Sequence, residues 1–145
     1  MKNLVDMLFK ASRFTSLPLH INKGLTGVPP DVAEREAKTS INPAAFEAAA
    51  LVIMVSRKRA GFPGIPGHEP DIGAGRKEVE KISAAMKLVR EATPDGGTYL
   101  NECDYFEPDW RRSLYGPNYV TLLKIKRKYD PNNLFRVHHG VGSEL

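Results

Sequence analysis

The chain has 145 residues, of which 41% are hydrophobic and 26% charged. That supplies the core of one compact domain and excludes a disordered tail, which is poorer in apolar residues and more lopsided in charge. Twenty-one Lys and Arg against 17 Asp and Glu leave a net charge of +4, mildly basic and far from the dense positive field of a dedicated nucleic-acid binder.

The single cysteine, Cys103, excludes an internal disulfide and a cysteine-rich zinc site, and with them a disulfide-stapled secreted mini-protein. The longest apolar run, residues 48–55, is about half of the ~18–20 residues that a membrane helix needs. The opening residues Met1-Lys2-Asn3-Leu4-Val5-Asp6 carry an acid where a signal peptide has its apolar core. No secretory signal is visible, and the compartment stays open, the cytoplasm included.

In chain order, Leu4 to Phe14 has the three-to-four spacing of an amphipathic helix. Leu17, Leu19 and Ile21 alternate with Pro18, His20 and Asn22, which predicts a half-buried strand at a sheet edge, closed by Gly24 and Gly27. Pro29-Pro30-Asp31 leads into a charged helical stretch, Val32 to Lys38. Asn42-Pro43 is a strong helix start, because Asn caps free amides and Pro suits the first helical position. The Ala-rich run that follows favours helix, while Leu51-Val52-Ile53-Met54-Val55 suits helix or buried strand equally. Residues 60–75 hold eight Gly and Pro residues and predict a long loop, of the kind that carries function or covers a site. A helix from Arg76 to about Ala92 places Val79, Ile82, Met86 and Val89 on one face. Thr98 to Cys103 predicts a strand, Trp110 to Leu114 one helical turn, and Leu134 to His138 a last strand. Between them, Asn118 to Tyr129 predicts a helix with Tyr119, Leu122, Leu123 and Ile125 inward, stopped by Asp130-Pro131.

Several stock motifs fail on their spacing. Gly73-Ala74-Gly75-Arg76-Lys77 lacks the spacing and the Ser/Thr of a phosphate loop, leaving only an anion at a helix start to set against a plain turn. His138 and His139 are adjacent, so on a strand they would point to opposite faces and could not share a metal; His20 and His68 have no partner at ligand spacing. No metal site is expected. Lys124, Lys126, Arg127 and Lys128 fit the solvated face of their helix better than a nucleic-acid or membrane patch, because no aromatic platform accompanies them. Cys103, with no cation or histidine beside it in sequence, suits a buried strand position better than a nucleophile.

One long ordered pattern remains. It runs from Gly97-Thr98-Tyr99-Leu100-Asn101-Glu102 through Trp110 and Tyr115-Gly116-Pro117-Asn118-Tyr119. It continues through Leu122 to Lys128 and on to Tyr129-Asp130-Pro131-Asn132-Asn133-Leu134-Phe135, then ends in 138–144. This pattern resembles the C-terminal segment of berberine bridge enzyme-like FAD-linked oxidases of the vanillyl-alcohol oxidase superfamily. Residues 17–25 and 42–44 are similar, less specifically, to the family's substrate domain.

The resemblance implies an α+β fold, an antiparallel sheet with helices packed on one side, incomplete relative to the family. Residues 1–97 would be part of the substrate-binding domain, and 98–145 the segment that contacts the flavin. The FAD-binding domain is not represented, so the chain would be the C-terminal portion of such an enzyme or the product of a truncated gene. It would act with that domain in cis or in trans on a small-molecule substrate, with no nucleic acid or membrane as partner, and FAD would not be retained by this chain alone. Hydride would pass from a carbinol or similar group to flavin N5. A non-catalytic relative that binds a ligand or a partner is the alternative.

Residue by residue, the resemblance puts Glu102 near the substrate as base, where the family often has Tyr; otherwise Glu102 is a surface glutamate. Tyr99 and Asn101 would approach the flavin, although a strand sends Asn101 and Glu102 to opposite faces. Asn118 is a weaker cofactor candidate, set against a helix N-cap. His20 and Asn22 would line the substrate cavity or face solvent. Trp110, Phe106 and Tyr115 are expected to pack a sheet–helix junction, Asp130-Pro131 to stop a helix, and Phe135 to anchor in the core.

Overall fold

The computed structural model describes every residue except 1, 23, 57 and 60. Two compact units share the chain discontinuously: residues 1–20 with 51–94, and residues 21–50 with 95–145.

The first unit is built on helix α1 (Lys2–Ala11) and helix α4 (Ile72–Ala92). Met7 and Ala11 from α1 and Ala85 and Val89 from α4 are buried together, with Leu8, Leu17, Met54, Leu88 and Ala92 around them. Ala11 and Ala85 are fully buried, and side chains this small let two helix backbones approach closely. The predicted apolar face of α4 is shifted: Val79 is exposed, because the buried side chains belong to the C-terminal half of the helix. The helix also begins a turn earlier than its glycines suggested. Asp71 caps it by accepting from the Ala74 amide at 2.8 Å, so Gly73 and Gly75 lie in its first turn. The carboxylate of Asp71 thus takes the place that an anion at this helix start would need.

Strands β1 (Leu19–Ile21) and β2 (Ala50–Val52) pair antiparallel, and the run 51–55, open between helix and strand in sequence, resolves as strand at its start. The register is set by Asn22 N to Ala49 O at 2.8 Å and Ile53 N to Pro18 O at 3.0 Å. Gly24 sits at φ +58°, and a Cβ there would come 2.0 Å from Phe46 O. No other residue fits where the ribbon meets the turn beyond β1.

The second unit contains α2 (Pro30–Glu36), α3 (Ala44–Glu47), the 3-10 turn 100–102, α5 (Trp110–Tyr115), a 3-10 turn at 116–118 and α6 (Tyr119–Tyr129). Two predicted strands are absent from it. At 98–103, Glu102 N bonds Tyr99 O at 3.1 Å and Cys103 N bonds Leu100 O at 3.4 Å, so the amides close a local turn instead of a ladder. At 134–138, the Asp130 carboxylate accepts from Leu134 N at 2.8 Å and Phe135 N at 2.9 Å, taking the donors a strand would present. The same carboxylate binds Lys126, whose ammonium also donates to Phe135 O. Lys126 is therefore turned inward to hold the chain after the helix and is not part of the solvated basic face. Its hydrogen bond holds Asp130 below the ordinary carboxylate range, against the opposing effect of desolvation. Ile125 and Phe135, expected in the core, are exposed.

Segments 39–44 and 112–118 are spliced by two asparagines. Asn42 Nδ2 donates to Ser113 O at 2.8 Å and Arg112 O at 3.4 Å, while its Oδ1 accepts from Ala44 N at 3.1 Å. In return, Asn118 Nδ2 donates to Ile41 O at 2.8 Å and Thr39 O at 3.4 Å. Gly116, at φ +54°, passes so close that a Cβ would lie 2.7 Å from Asn42 Oδ1.

Two outcomes follow, read by urea unfolding monitored at Trp110, which lies in this unit. Gly116→Ala costs roughly 1–3 kcal/mol of stability, more than Gly142→Ala, where φ is also positive but the new methyl comes no nearer than 3.3 Å to any neighbour. Asn118→Ala costs about 1–3 kcal/mol, because two backbone carbonyls lose their donor; an unchanged midpoint would show the splice to be dispensable.

Candidate functional site

Tyr99 is extended, at φ −85° and ψ 124°, and Leu100–Glu102 then make one 3-10 turn. At three residues per turn, residues i and i+3 eclipse, so Glu102 comes round toward Tyr99. The opposite-face problem expected of a strand disappears. Asn101 Nδ2 donates to the Tyr99 hydroxyl oxygen at 2.6 Å. Tyr99 is 51% exposed, and Asn101 and Glu102 are exposed as well. The three predicted residues therefore share one solvent-facing turn.

That turn is held from behind. Thr98 N donates to Ser113 O at 2.7 Å, the same carbonyl that Asn42 binds. Ser113 Oγ donates to the buried carboxylate of Glu107 at 2.8 Å. The asparagine splice therefore ends at the base of the Tyr99–Glu102 turn.

The other predicted site residues have partners elsewhere in the backbone or face solvent. Asn118 gives its amide protons to the 39–41 backbone and makes no side-chain cap. Asn22 donates to Ala45 O at 3.0 Å and accepts from Gly24 N at 3.0 Å, closing the turn after β1. His20, in the other unit, is exposed on β1.

Sequence reasoning missed the aromatic assembly behind the turn. Trp110 meets Tyr115 and Tyr119 edge-on, at centroid distances of 6.3 and 5.5 Å, and stacks on His139 at 5.4 Å. Trp110 and Tyr115 pack as expected, but against α6 and the C-terminal segment and not at a sheet. Phe106 is 69% exposed and touches Tyr105. His138 and His139 lie in a turn, not a strand, with ring centroids 3.8 Å apart. Cys103, read from sequence as having no histidine beside it, has Sγ 3.8 Å from His139 Nδ1 and donates to Asp104 O at 3.1 Å. Burial raises the phenols of Tyr115 and Tyr119 above the ordinary range. Burial pushes Glu144 upward, but hydrogen bonds from Tyr119 and Arg111 outweigh it and hold the carboxyl below its ordinary value. Adjacent histidines followed by glycines were the available signal for a turn there. Among the described residues, no cluster of three metal-binding side chains occurs, and no helix is long and apolar enough to cross a membrane.

Residues 98–142 match the family described as berberine and berberine-like. The VAO-type flavoprotein oxidase VAO615 of Thermothelomyces thermophilus is 52% identical over 58 residues, 40% of this chain and 10% of that protein. An uncharacterized FAD-linked oxidoreductase of Arthroderma benhamiae is 44% identical over 72 residues, 46% of this chain and 12% of its own. The chain thus spans about a tenth of the length of the curated relatives it matches. The crystal structure of the VAO-type flavoprotein MtVAO615 from Myceliophthora thermophila superposes at a TM-score of 0.71 with 26% identity, covering 99% of this chain and 24% of that one. MtVAO713 from the same source aligns at 0.60 and 24% identity, over 78% of this chain and 18% of its own, a likeness of fold. The mixed architecture of helices with a small antiparallel ribbon is therefore that of one part of these flavoproteins. Residues 98–142 thus carry the berberine and berberine-like pattern, and the chain as a whole is similar in fold to one part of the VAO-type flavoproteins.

Proposed function

We propose that this chain is the substrate-side, C-terminal portion of a FAD-linked oxidoreductase of VAO type. It works with a FAD-binding domain supplied in cis or in trans, on a small molecule that gives up a hydride from a carbinol or similar carbon. The observation that carries this reading is the grouping of Tyr99, Asn101 and Glu102 on one exposed turn within the family-matched segment. FAD, when bound, would supply the hydride acceptor.

The donor set suits the edge of such a ring. The Tyr99 oxygen accepts from Asn101, which leaves the phenol proton and the Asn101 side-chain carbonyl as one donor and one acceptor still available. Glu102 would accept the hydroxyl proton as the carbinol is oxidised, and a carboxylate is a competent base for that step. His20 is retained as a cavity residue. The amides of Asn22 and Asn118 hold the backbone first, and any ligand contact falls to their remaining acceptor capacity.

The test exchanges the corresponding segment of a full-length VAO-type relative for this chain. With flavin content unchanged, Glu102→Gln lowers the rate of anaerobic flavin bleaching by substrate about 10²–10⁴-fold. An equal rate in the variant removes Glu102 as base. The 145-residue chain alone, incubated with FAD and dialysed, is expected to be colourless, since an exposed turn offers few of the contacts a dinucleotide needs.

A further inference from the structure

Behind the turn, the second unit encloses an imidazole that the proposed chemistry does not use. His139 is 8% exposed. Its ring stacks on Trp110, 5.4 Å away at 19°, and meets His138 at a tilt, 3.8 Å away at 32°. Its φ is +58°, a left-handed conformation uncommon for residues other than glycine, though one that histidine adopts more readily than most. The Tyr115 hydroxyl donates to His139 O at 3.0 Å. The turn itself is closed by Gly140 N to Val137 O and Ser143 N to Gly140 O, both at 3.0 Å.

We propose that His139 is an acid-sensitive latch: its protonation opens the 137–142 turn away from α5. The groups facing the ring are few. The 103–107 segment contributes Cys103, Asp104 and Glu107, and the turn contributes His138; Tyr115 reaches only the His139 carbonyl, while Arg111, Tyr119 and Glu144 stand one contact further away, around Trp110 and one another. Burial holds His139 below its ordinary value, His138 reinforces the effect, and Glu107 and Asp104 offset it only in part.

The sign follows from linkage. The closed turn prefers a neutral ring, whereas in the opened turn the imidazole has its ordinary value near 6.5. As pH falls through that value the open form takes up the proton first, and the balance moves toward opening until the closed form also titrates. Each unit by which the closed form is depressed changes the closed-to-open ratio about tenfold. Glu144 provides a second clasp, accepting from Tyr119 and from Arg111 Nε at 3.2 Å. Its depressed value keeps that clasp charged until pH falls below the ordinary carboxylate range, so the clasp itself does not change in the window beneath about 6.5 where an imidazole titrates.

Trp110 is the single tryptophan, so its emission reports the stack directly. The full chain is titrated from about pH 8 to about pH 5, with far-UV circular dichroism in parallel and hydrogen exchange at the Gly140 and Ser143 amides corrected for intrinsic rates. The expected result is a reversible emission change centred below about 6.5, with constant helix content and protection lost at both amides. The change disappears in His139→Gln, and in His138→Phe its midpoint rises toward the ordinary value. No emission change in this window would overturn the proposal, as would a change that persists in His139→Gln or a midpoint above 6.5, where acid would tighten the turn. Should His139→Gln fail to fold, an unmoved midpoint in the exposed-site variant His138→Phe would overturn it equally.

Discussion

Everything in the second unit depends on one backbone carbonyl being claimed twice. Ser113 O accepts from Asn42 Nδ2 and from Thr98 N, so a residue 71 positions upstream and the start of the candidate turn are fastened to the same point on α5. The return bond from Asn118 to the 39–41 backbone makes the fastening reciprocal. Such bonds contribute modestly when made, but leaving a part-buried carbonyl without its donor is expensive. Gly97 and Gly116 follow from the same constraint: a Cβ at either would come within 3 Å of the Asn42 amide. The glycines of the family pattern are there because an asparagine side chain occupies the space a larger residue would take.

This arrangement gives the candidate site its character. Tyr99, Asn101 and Glu102 stand outside on a short 3-10 turn, while the parts that fix them lie beneath: Thr98 on Ser113, Ser113 on Glu107, Asn42 across the splice. A turn braced at its base and open at its face can present a donor and an acceptor to something that covers it. The exposed Tyr99 and Leu100 are consistent with a face that functions when covered.

The errors of sequence-level inference share a cause. Thr98–Cys103 and Leu134–His138 have strand composition, but a strand needs a neighbour to accept its hydrogen bonds. In the first, the amides turn back on their own carbonyls; in the second, Asp130 intercepts them. Lys126 sat in a basic run that suggested a solvated face, and only the chain's return after Asp130 put a carboxylate and a carbonyl within its reach. The Cys103–His139 proximity spans 36 positions and has no local signature at all.

By itself the sequence determined the helices α1, α4 and α6, the strand after Leu17, the turn glycines and the pattern of 98–142 that matches the berberine and berberine-like family. These rest on local periodicity, on φ preferences and on an ordered motif, all of which survive being read one residue at a time. Only the tertiary structure decided that Asn101 and Glu102 share a turn, that Asn22 and Asn118 spend their amides on the backbone, and that His139 is buried against Trp110 and His138. Each of these is set by which distant group reaches a donor, an acceptor or a ring first, and that competition is settled by the folding of the whole unit.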